Sequence, residues 1–140
     1  MKTTKALLLL LILIVLSGCA TTNQRVLDSG NETQLQKRNY QSRVFDTADK
    51  KQVLRTVIST LQDLGFIIDN ADLMLGSVSG TKLDIYLTKI SVSVRPKGSD
   101  RMLVRANAQF QNKPVSDPMQ YQNFFSSLSK SLFLTANADE

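Results

Sequence analysis

The sequence contains no histidine and no tryptophan, and cysteine occurs only once in its 140 residues. The lack of histidine removes the side chain most often used as a general base and as a metal ligand. A single cysteine excludes an internal disulfide, a CxxC redox pair and a four-cysteine zinc site. We therefore predict a protein that is not an enzyme, with no catalytic residues, no metal and no cofactor.

The net charge of the chain is also small. Seventeen Lys and Arg residues stand against 12 Asp and Glu residues, which gives a formal net charge of +5. Lys2 and Lys5 precede an apolar run, and without them 15 basic side chains oppose 12 acidic ones, a net charge of +3. This mild bias, with no aromatic side chains interleaved among the basic ones, predicts that nucleic acid is not a partner.

There is one long hydrophobic run, the 11 residues from Ala6 to Leu16. A helix needs roughly 20 apolar residues to span the hydrocarbon core, so this run is too short for a comfortable transmembrane anchor. With Lys2 and Lys5 before it and small residues after it, the run has the proportions of a signal peptide. The only cysteine, Cys19, follows after Ser17 and Gly18.

The tetrapeptide Leu16-Ser17-Gly18-Cys19 resembles the lipobox of bacterial lipoproteins in every position. That resemblance implies cleavage between Gly18 and Cys19, a diacylglyceryl thioether on Cys19, and acylation of its new amino group, for example by palmitate. More than one acyl chain holds a protein stably on a bilayer. Ala20, where Asp would favour retention in the inner membrane, implies sorting to the periplasmic face of the outer membrane. The alternative is that Cys19 is a small buried hydrophobe after an ordinary secretory signal or a short membrane anchor.

The next segment, residues 20–37, is rich in Thr, Asn, Gln and Ser and has no sustained hydrophobic period. This composition predicts a flexible tether. Two alternatives remain open: a passive leash, or a segment that becomes ordered on a partner through Val26, Leu27 and Leu35. The predicted domain boundaries are 1–18 for the lipoprotein signal peptide, 19–37 for the lipidated N-terminus and tether, 38–135 for a periplasmic α+β domain, and 136–140 for a frayed tail.

The pattern of residues 38–135 predicts two amphipathic helices and an antiparallel sheet of 4–5 strands. Residues 40–45 alternate as a first strand, and Asp46 and Thr47 offer N-cap side chains for the first helix. That helix has one apolar face, formed by Val53, Leu54, Val57, Ile58, Leu61 and Leu64. Asp117 and Pro118 begin the closing helix, with Tyr121, Phe124, Phe125, Leu128 and Leu132 on its apolar face.

Four strands are expected between the helices. We predict a short strand from Phe66, a turn at residues 69–72, and a strand over residues 73–82 in which Gly76 and Gly80 mark a bulge or a close backbone approach. Residues 82–96 are either one long strand or a connection followed by a strand, and residues 96–100 form a hairpin loop to a last strand at 101–110. In that last strand the alternation predicts inward side chains at Val104, Ala106, Ala108 and Phe110 and outward ones at Arg105, Asn107 and Gln109. The predicted fold class is therefore α+β, in the order β-α-β-β-β-β-α.

Five basic side chains cluster around this last hairpin, namely Lys89, Arg95, Lys97, Arg101 and Arg105. A basic patch of this kind is a candidate contact for an anionic surface, such as lipid headgroups or an acidic partner. The alternative is an ordinary solvated face.

The stretches "SRVFDT", "VLRTVISTLQDLGF" and "DPMQYQNFFSSLSKSLFL" resemble a group of small proteobacterial lipoproteins. The element order is similar, in topology only, to the helix-grip domains of the accessory lipoprotein of the β-barrel assembly machine. These resemblances imply a lipid-anchored interaction or structural module associated with an outer-membrane assembly for secretion, efflux or envelope biogenesis. The alternative function is a periplasmic carrier that holds a lipid or another apolar ligand between helix and sheet.

Overall fold

The computed structural model describes the backbone of residues 33–138 and the side chains of residues 33–134. The chain begins with helix α1 (Gln34–Gln41), strand β1 (Ser42–Phe45) and helix α2 (Lys50–Asp63). Strands β2 (Ile67–Asp72), β3 (Ser77–Leu83), β4 (Leu87–Pro96) and β5 (Met102–Phe110) follow. The two-residue strand β6 (Lys113–Pro114) and helix α3 (Pro118–Ala138) complete the described part. The predicted α+β class with an antiparallel sheet is confirmed.

The sheet runs in the order β1-β5-β4-β3-β2. The short strand β6 pairs with the end of β5, at Gln109 and Phe110, whereas β1 pairs with the beginning of β5. Every neighbouring pair is antiparallel, and β4 with β5 has the longest register, from Thr88 opposite Phe110 to Pro96 opposite Met102. One end of the sheet therefore carries the β2–β3 and β4–β5 connections, and the other end carries the β3–β4 connection. These two ends are called the turn end and the cavity end below, and the candidate sites differ between them.

The core lies between the two long helices and one face of the sheet. Its fully buried side chains come from α2, from α3 and from alternate positions of β3, β4 and β5, namely Val53, Leu54, Val57, Leu61, Val78, Val92, Val94, Val104, Phe125 and Leu128. Alternation along the strands puts the intervening residues on the opposite face, which no helix of residues 33–138 covers. Each of the two long helices buries its apolar face against the sheet, as an amphipathic pattern requires.

The N-terminal boundary of the domain differs from the sequence prediction. Residues 34–37 were expected in the tether, but they form the first turn of α1, and Tyr40 lies in that helix rather than in a strand. Tyr40 packs against Tyr121 of α3 with ring centroids 5.3 Å apart, and Gln41 Nε2 donates to the Tyr121 hydroxyl at 3.3 Å. A contact with a helix 80 residues away stabilises helix α1, and such a contact leaves no local signal in the sequence.

Two other boundaries differ from the sequence prediction. Residues 69–72, predicted as a turn, belong to β2, and the turn lies at residues 73–76, predicted as strand. The backbone of Gly76 has a positive φ of 71°, which favours glycine and closes this turn. At the other end of the chain, the α3 backbone continues to Ala138, beyond the residue 135 boundary that we predicted for the domain.

Candidate functional site

The uncovered face of the sheet carries three of the five predicted basic residues. Lys89 and Arg95 alternate with buried β4 residues, and Arg105 lies on β5 opposite Ser93. Arg105 is half-buried, and its Nε donates to Ser42 Oγ at 3.2 Å. The structure thus places Lys89, Arg95 and Arg105 on one face, in agreement with the outward position predicted for Arg105.

Hydroxyl groups surround these cations. Strand register aligns Ser79 with Ser91 and Thr81 with Lys89 across β3 and β4, so their side chains share the uncovered face. Thr81 Oγ1 donates to Asp69 Oδ2 at 2.6 Å on the adjoining edge strand. The face is therefore cationic towards β5 and acidic only at its β2 edge, where Asp69 and Asp72 lie.

The other two predicted residues, Lys97 and Arg101, lie in the β4–β5 connection at the turn end of the sheet. Their backbones close the loop, because Lys97 N–H donates to the Arg101 carbonyl at 2.8 Å. Arg101 Nε lies 3.8 Å from Asp100 Oδ1, and both side chains are exposed. Among residues 33–138 this is the only ion pair within 4.0 Å, so no carboxylate directly neutralises Lys97 or Arg95. The five predicted basic residues therefore form two groups, one on the sheet face and one at its end.

The predicted lipidation and cleavage residues, Cys19 and Gly18, lie outside the described residues, as do Val26 and Leu27 of the tether. Leu35, the third tether residue considered as a partner anchor, lies in α1 and is 68% exposed. None of the helices within residues 33–138 is long and apolar enough to cross a membrane.

A cavity of about 480 Å³ opens at the cavity end, between the start of α3, the end of α2 and the β3–β4 hairpin. Clefts of roughly 300–1,000 Å³ are typical of small-molecule sites. The lining is mostly apolar and includes Leu64, Phe66, Ile85, Tyr86, Ile90, Ala108, Phe110, Tyr121 and Phe124, with polar groups from Lys82, Asp84, Thr88, Gln120 and Asn123. This mixture suits an apolar ligand that also carries a polar group.

Interactions within the cavity wall hold its shape. The hydroxyl of Tyr121 accepts from the Ala108 N–H at 3.1 Å and donates to the Val115 carbonyl at 3.1 Å. Lys82 Nζ donates to the Leu64 carbonyl at 3.0 Å, which joins the hairpin to the end of α2. At the mouth, Tyr86 and Phe110 meet edge to face with centroids 5.3 Å apart.

The cavity end of the domain exposes large apolar side chains, of which Ile85 also lines the cavity. Leu83 is 76% exposed and Ile85 81% exposed, and both lie at the β3–β4 hairpin. Met119, at the start of α3, is 60% exposed. Contiguous exposed apolar groups of this kind mark binding surfaces more often than single scattered ones do.

A second apolar group projects from the turn end. Leu73, Met74 and Leu75 occupy three consecutive positions of the β2–β3 turn and are 50%, 89% and 73% exposed. Turns normally carry polar residues or glycine and proline, so three successive large apolar side chains are unusual there.

Neither apolar group was predicted as a site from the sequence. Residues 73–75 were assigned to a strand, in which alternate side chains would have been buried. Phe110 was expected to face inward, yet it is 43% exposed at the cavity mouth. The available signal was the run "LMLG", since a glycine after three apolar residues also suits a tight turn with an exposed tip.

The fold defines the class of protein as a small α+β domain whose antiparallel sheet is covered by helices on one face. Within residues 33–138, no group of three or more Cys, Asp or Glu side chains is placed to hold a metal ion. No protein-family model matches the chain, and a search of curated proteins gives no significant match.

Proposed function

We propose that this protein is a lipid-anchored interaction module on the periplasmic face of the outer membrane, where it joins or steadies a protein assembly. The lipobox resemblance at Leu16–Cys19 supports the anchor, and Ala20 supports outer-membrane sorting. The observation that carries the interaction role is the pair of exposed apolar side chains at the β3–β4 hairpin, Leu83 and Ile85, of which Ile85 lines the open cavity. Grouped apolar side chains on a protein surface mark sites of interaction with other molecules. The proposal includes no catalytic step.

Site-specific photo-crosslinking in intact envelopes tests the interaction role. A photoreactive residue at Ile85, which is 81% exposed, is expected to give one defined protein adduct. The same residue at Arg55, exposed in the middle of α2, is the control and is expected to give none. If position 85 gives only monomer, or the same adducts as position 55, the interaction role is wrong.

The anchor has its own test. Cys19→Ser is expected to abolish incorporation of labelled palmitate, because the serine hydroxyl does not form the thioether. Ala20→Asp is expected to keep the label while moving the protein to the inner-membrane fraction. Palmitate incorporation into the Cys19→Ser variant would refute the anchor, and an unchanged outer-membrane location of the Ala20→Asp variant would refute the sorting assignment.

A second candidate function, carriage of a lipid or another apolar ligand, is favoured by the cavity itself. Native mass spectrometry of the full chain purified from membranes is expected to show a bound small molecule of constant mass. Ala108→Leu adds bulk to the cavity wall and is expected to remove that mass, whereas Ala71→Leu on the exposed edge strand is expected to keep it. A chain that carries no ligand in any of these forms would rule out the carrier function.

A further inference from the structure

The β2–β3 turn presents its apolar side chains from a fixed backbone. Asp72 Oδ1 accepts from the Leu75 N–H at 2.8 Å, and the Asp72 carbonyl accepts from the Gly76 N–H at 2.8 Å. Lys50 of α2 donates from Nζ to the Met74 carbonyl at 2.9 Å. Because the turn is already ordered, its apolar side chains can be buried in an apolar environment with little loss of backbone entropy.

Cations flank this tip on both faces of the sheet. Lys50 lies on the helix-covered face, in contact with the turn. Arg95 lies on the uncovered face, and the preceding residue Val94 donates its N–H to the Gly76 carbonyl at 2.8 Å. Lys97 and Arg101 continue the positive charge along the neighbouring β4–β5 connection.

Carboxylates also lie at the turn end, and three of them have partners within the domain. Asp72 accepts from Leu75, Asp100 faces Arg101, and Asp49 Oδ1 accepts from the Gln52 N–H at 2.9 Å. Asp46, before α2, is exposed. Arg95 and Lys97 have no such partner within residues 33–138, so their charge is available to an external anion.

We propose that the tip Leu73–Leu75, together with Lys50, Arg95, Lys97 and Arg101, is a docking surface for an anionic phospholipid bilayer. An exposed apolar tip with cations beside it matches a bilayer interface, where acyl chains lie beneath anionic headgroups. A protein partner would have to bring both an apolar pocket and surrounding carboxylates. The docked orientation would leave the cavity end, with Leu83 and Ile85, pointing away from the membrane towards a partner.

The length of chain before the domain permits this orientation. Residues 20–33 span up to about 46 Å when extended. The ten-residue strand β4 is about 33 Å long. A chain anchored at Cys19 can therefore let either end of the sheet reach the bilayer. The docking surface rests on the proposed function only for this anchor, which keeps the domain beside the bilayer.

Methionine oxidation by hydrogen peroxide tests the docking surface with native residues as probes. Met74 at the tip is 89% exposed, and Met119 at the cavity end is 60% exposed. Without docking, the full chain should oxidise at Met74 at least as fast as at Met119, because oxidation follows exposure. In vesicles containing phosphatidylglycerol, the rate at Met74 relative to Met119 is expected to fall about five-fold or more. Peptide mass spectrometry reads both sites in the same sample.

Matched variants separate docking from general shielding. Leu75→Asp is expected to restore oxidation of Met74, whereas Leu83→Asp, at a residue of similar exposure (76% against 73%), is expected to leave Met74 protected. Lys97→Glu should weaken the protection, and Lys113→Glu should not. Equal oxidation of Met74 and Met119 on the vesicles overturns the proposal, and so does protection that survives Leu75→Asp. Protection of Met74 seen only in intact envelopes also overturns it, in favour of a protein partner.

The intact mass of the same sample reports whether Cys19 is acylated. An acylated protein with an unprotected Met74 therefore contradicts the docking surface alone. An unacylated protein contradicts the anchor, whatever the oxidation pattern shows.

Discussion

Gly76 occupies the position where the β2–β3 turn meets both a neighbouring strand and helix α2. Its φ is 71°, and a Cβ at this position would lie 2.5 Å from the Val94 carbonyl oxygen and 2.6 Å from Lys50 Cε. The sequence prediction of a close backbone approach at Gly76 agrees with this geometry. The residue therefore fixes the place of the exposed turn relative to the sheet.

Gly76→Ala is expected to lower the free energy of unfolding by about 2–4 kcal/mol, since backbone strain and a steric clash coincide. Gly98→Ala is the matched control, because Gly98 also has a positive φ, 78°, but its nearest neighbour, Asp100 Oδ1, would lie 3.8 Å away. Strain alone should cost Gly98→Ala about 1 kcal/mol. Urea denaturation measures both variants, and equal losses would contradict the proposed clash.

Tyr121 joins three elements through one hydroxyl, which contacts Gln41 of α1, Ala108 of β5 and Val115 before α3. Tyr121→Phe leaves the Ala108 N–H and the Val115 carbonyl without this partner. We expect a loss of about 1–3 kcal/mol in unfolding free energy. Tyr86→Phe, at a 50% exposed side chain, is expected to change stability by less than about 0.5 kcal/mol, and thermal unfolding compares the two.

Among the elements, helix α2 shows where the local pattern is accurate and where it shifts. The apolar face was predicted from Val53 to Leu64, and Val53, Leu54, Val57 and Leu61 are indeed buried. Ile58 is only half-buried, whereas Thr56 and Thr60 are buried in the interface. Compared with the prediction, the buried face of the helix is therefore rotated away from Ile58 and towards Thr56 and Thr60.

The N-cap of α2 is Asp49, not the predicted Asp46 or Thr47. Its carboxylate accepts from the Gln52 N–H at 2.9 Å. Asp49→Ala is expected to destabilise the domain by about 1 kcal/mol, whereas Asp46→Ala is expected to have little effect. Denaturant unfolding of the two variants checks the assignment, which would be wrong if Asp46→Ala were the costlier change.

The hydroxyl of Thr60 is buried, and it has no hydrogen-bond partner within residues 33–138. Thr60→Val is therefore expected to raise the free energy of unfolding by about 1 kcal/mol, because it removes an unsatisfied polar atom. The Thr56 hydroxyl donates to the Gln52 carbonyl at 3.0 Å, so Thr56→Val should give a smaller gain or none. If chemical denaturation gave equal gains for Thr60→Val and Thr56→Val, the missing hydrogen bond of Thr60 would not be the cause of the gain.

At the scale of the whole molecule, one core joins both long helices to one face of the sheet. Leu128 of α3 is fully buried in that core. Leu128→Ala is expected to cost about 2–5 kcal/mol through lost burial and a residual cavity. Leu134→Ala, six residues later and 62% exposed, should cost less than about 0.5 kcal/mol. A single shifted transition in calorimetry is expected for Leu128→Ala, and two separate transitions would show that the helices do not share a core.

The sequence by itself determined the features that depend on local pattern. Helical periodicity gave both long helices, alternation gave the outward position of Arg105, and Gly76 gave a special backbone site. The lipobox resemblance is also a local feature, and the lipidation of Cys19 that it implies stays a prediction.

Only the tertiary structure decided the features that depend on distant contacts. Helix α1 forms where Tyr40 and Gln41 meet Tyr121, and the cavity arises where α2, α3 and the β3–β4 hairpin converge. The exposed tip at Leu73–Leu75 follows from strand register, which places the turn four residues later than local composition suggested. Burial and register are properties of pairs of segments, and one segment read alone does not contain them.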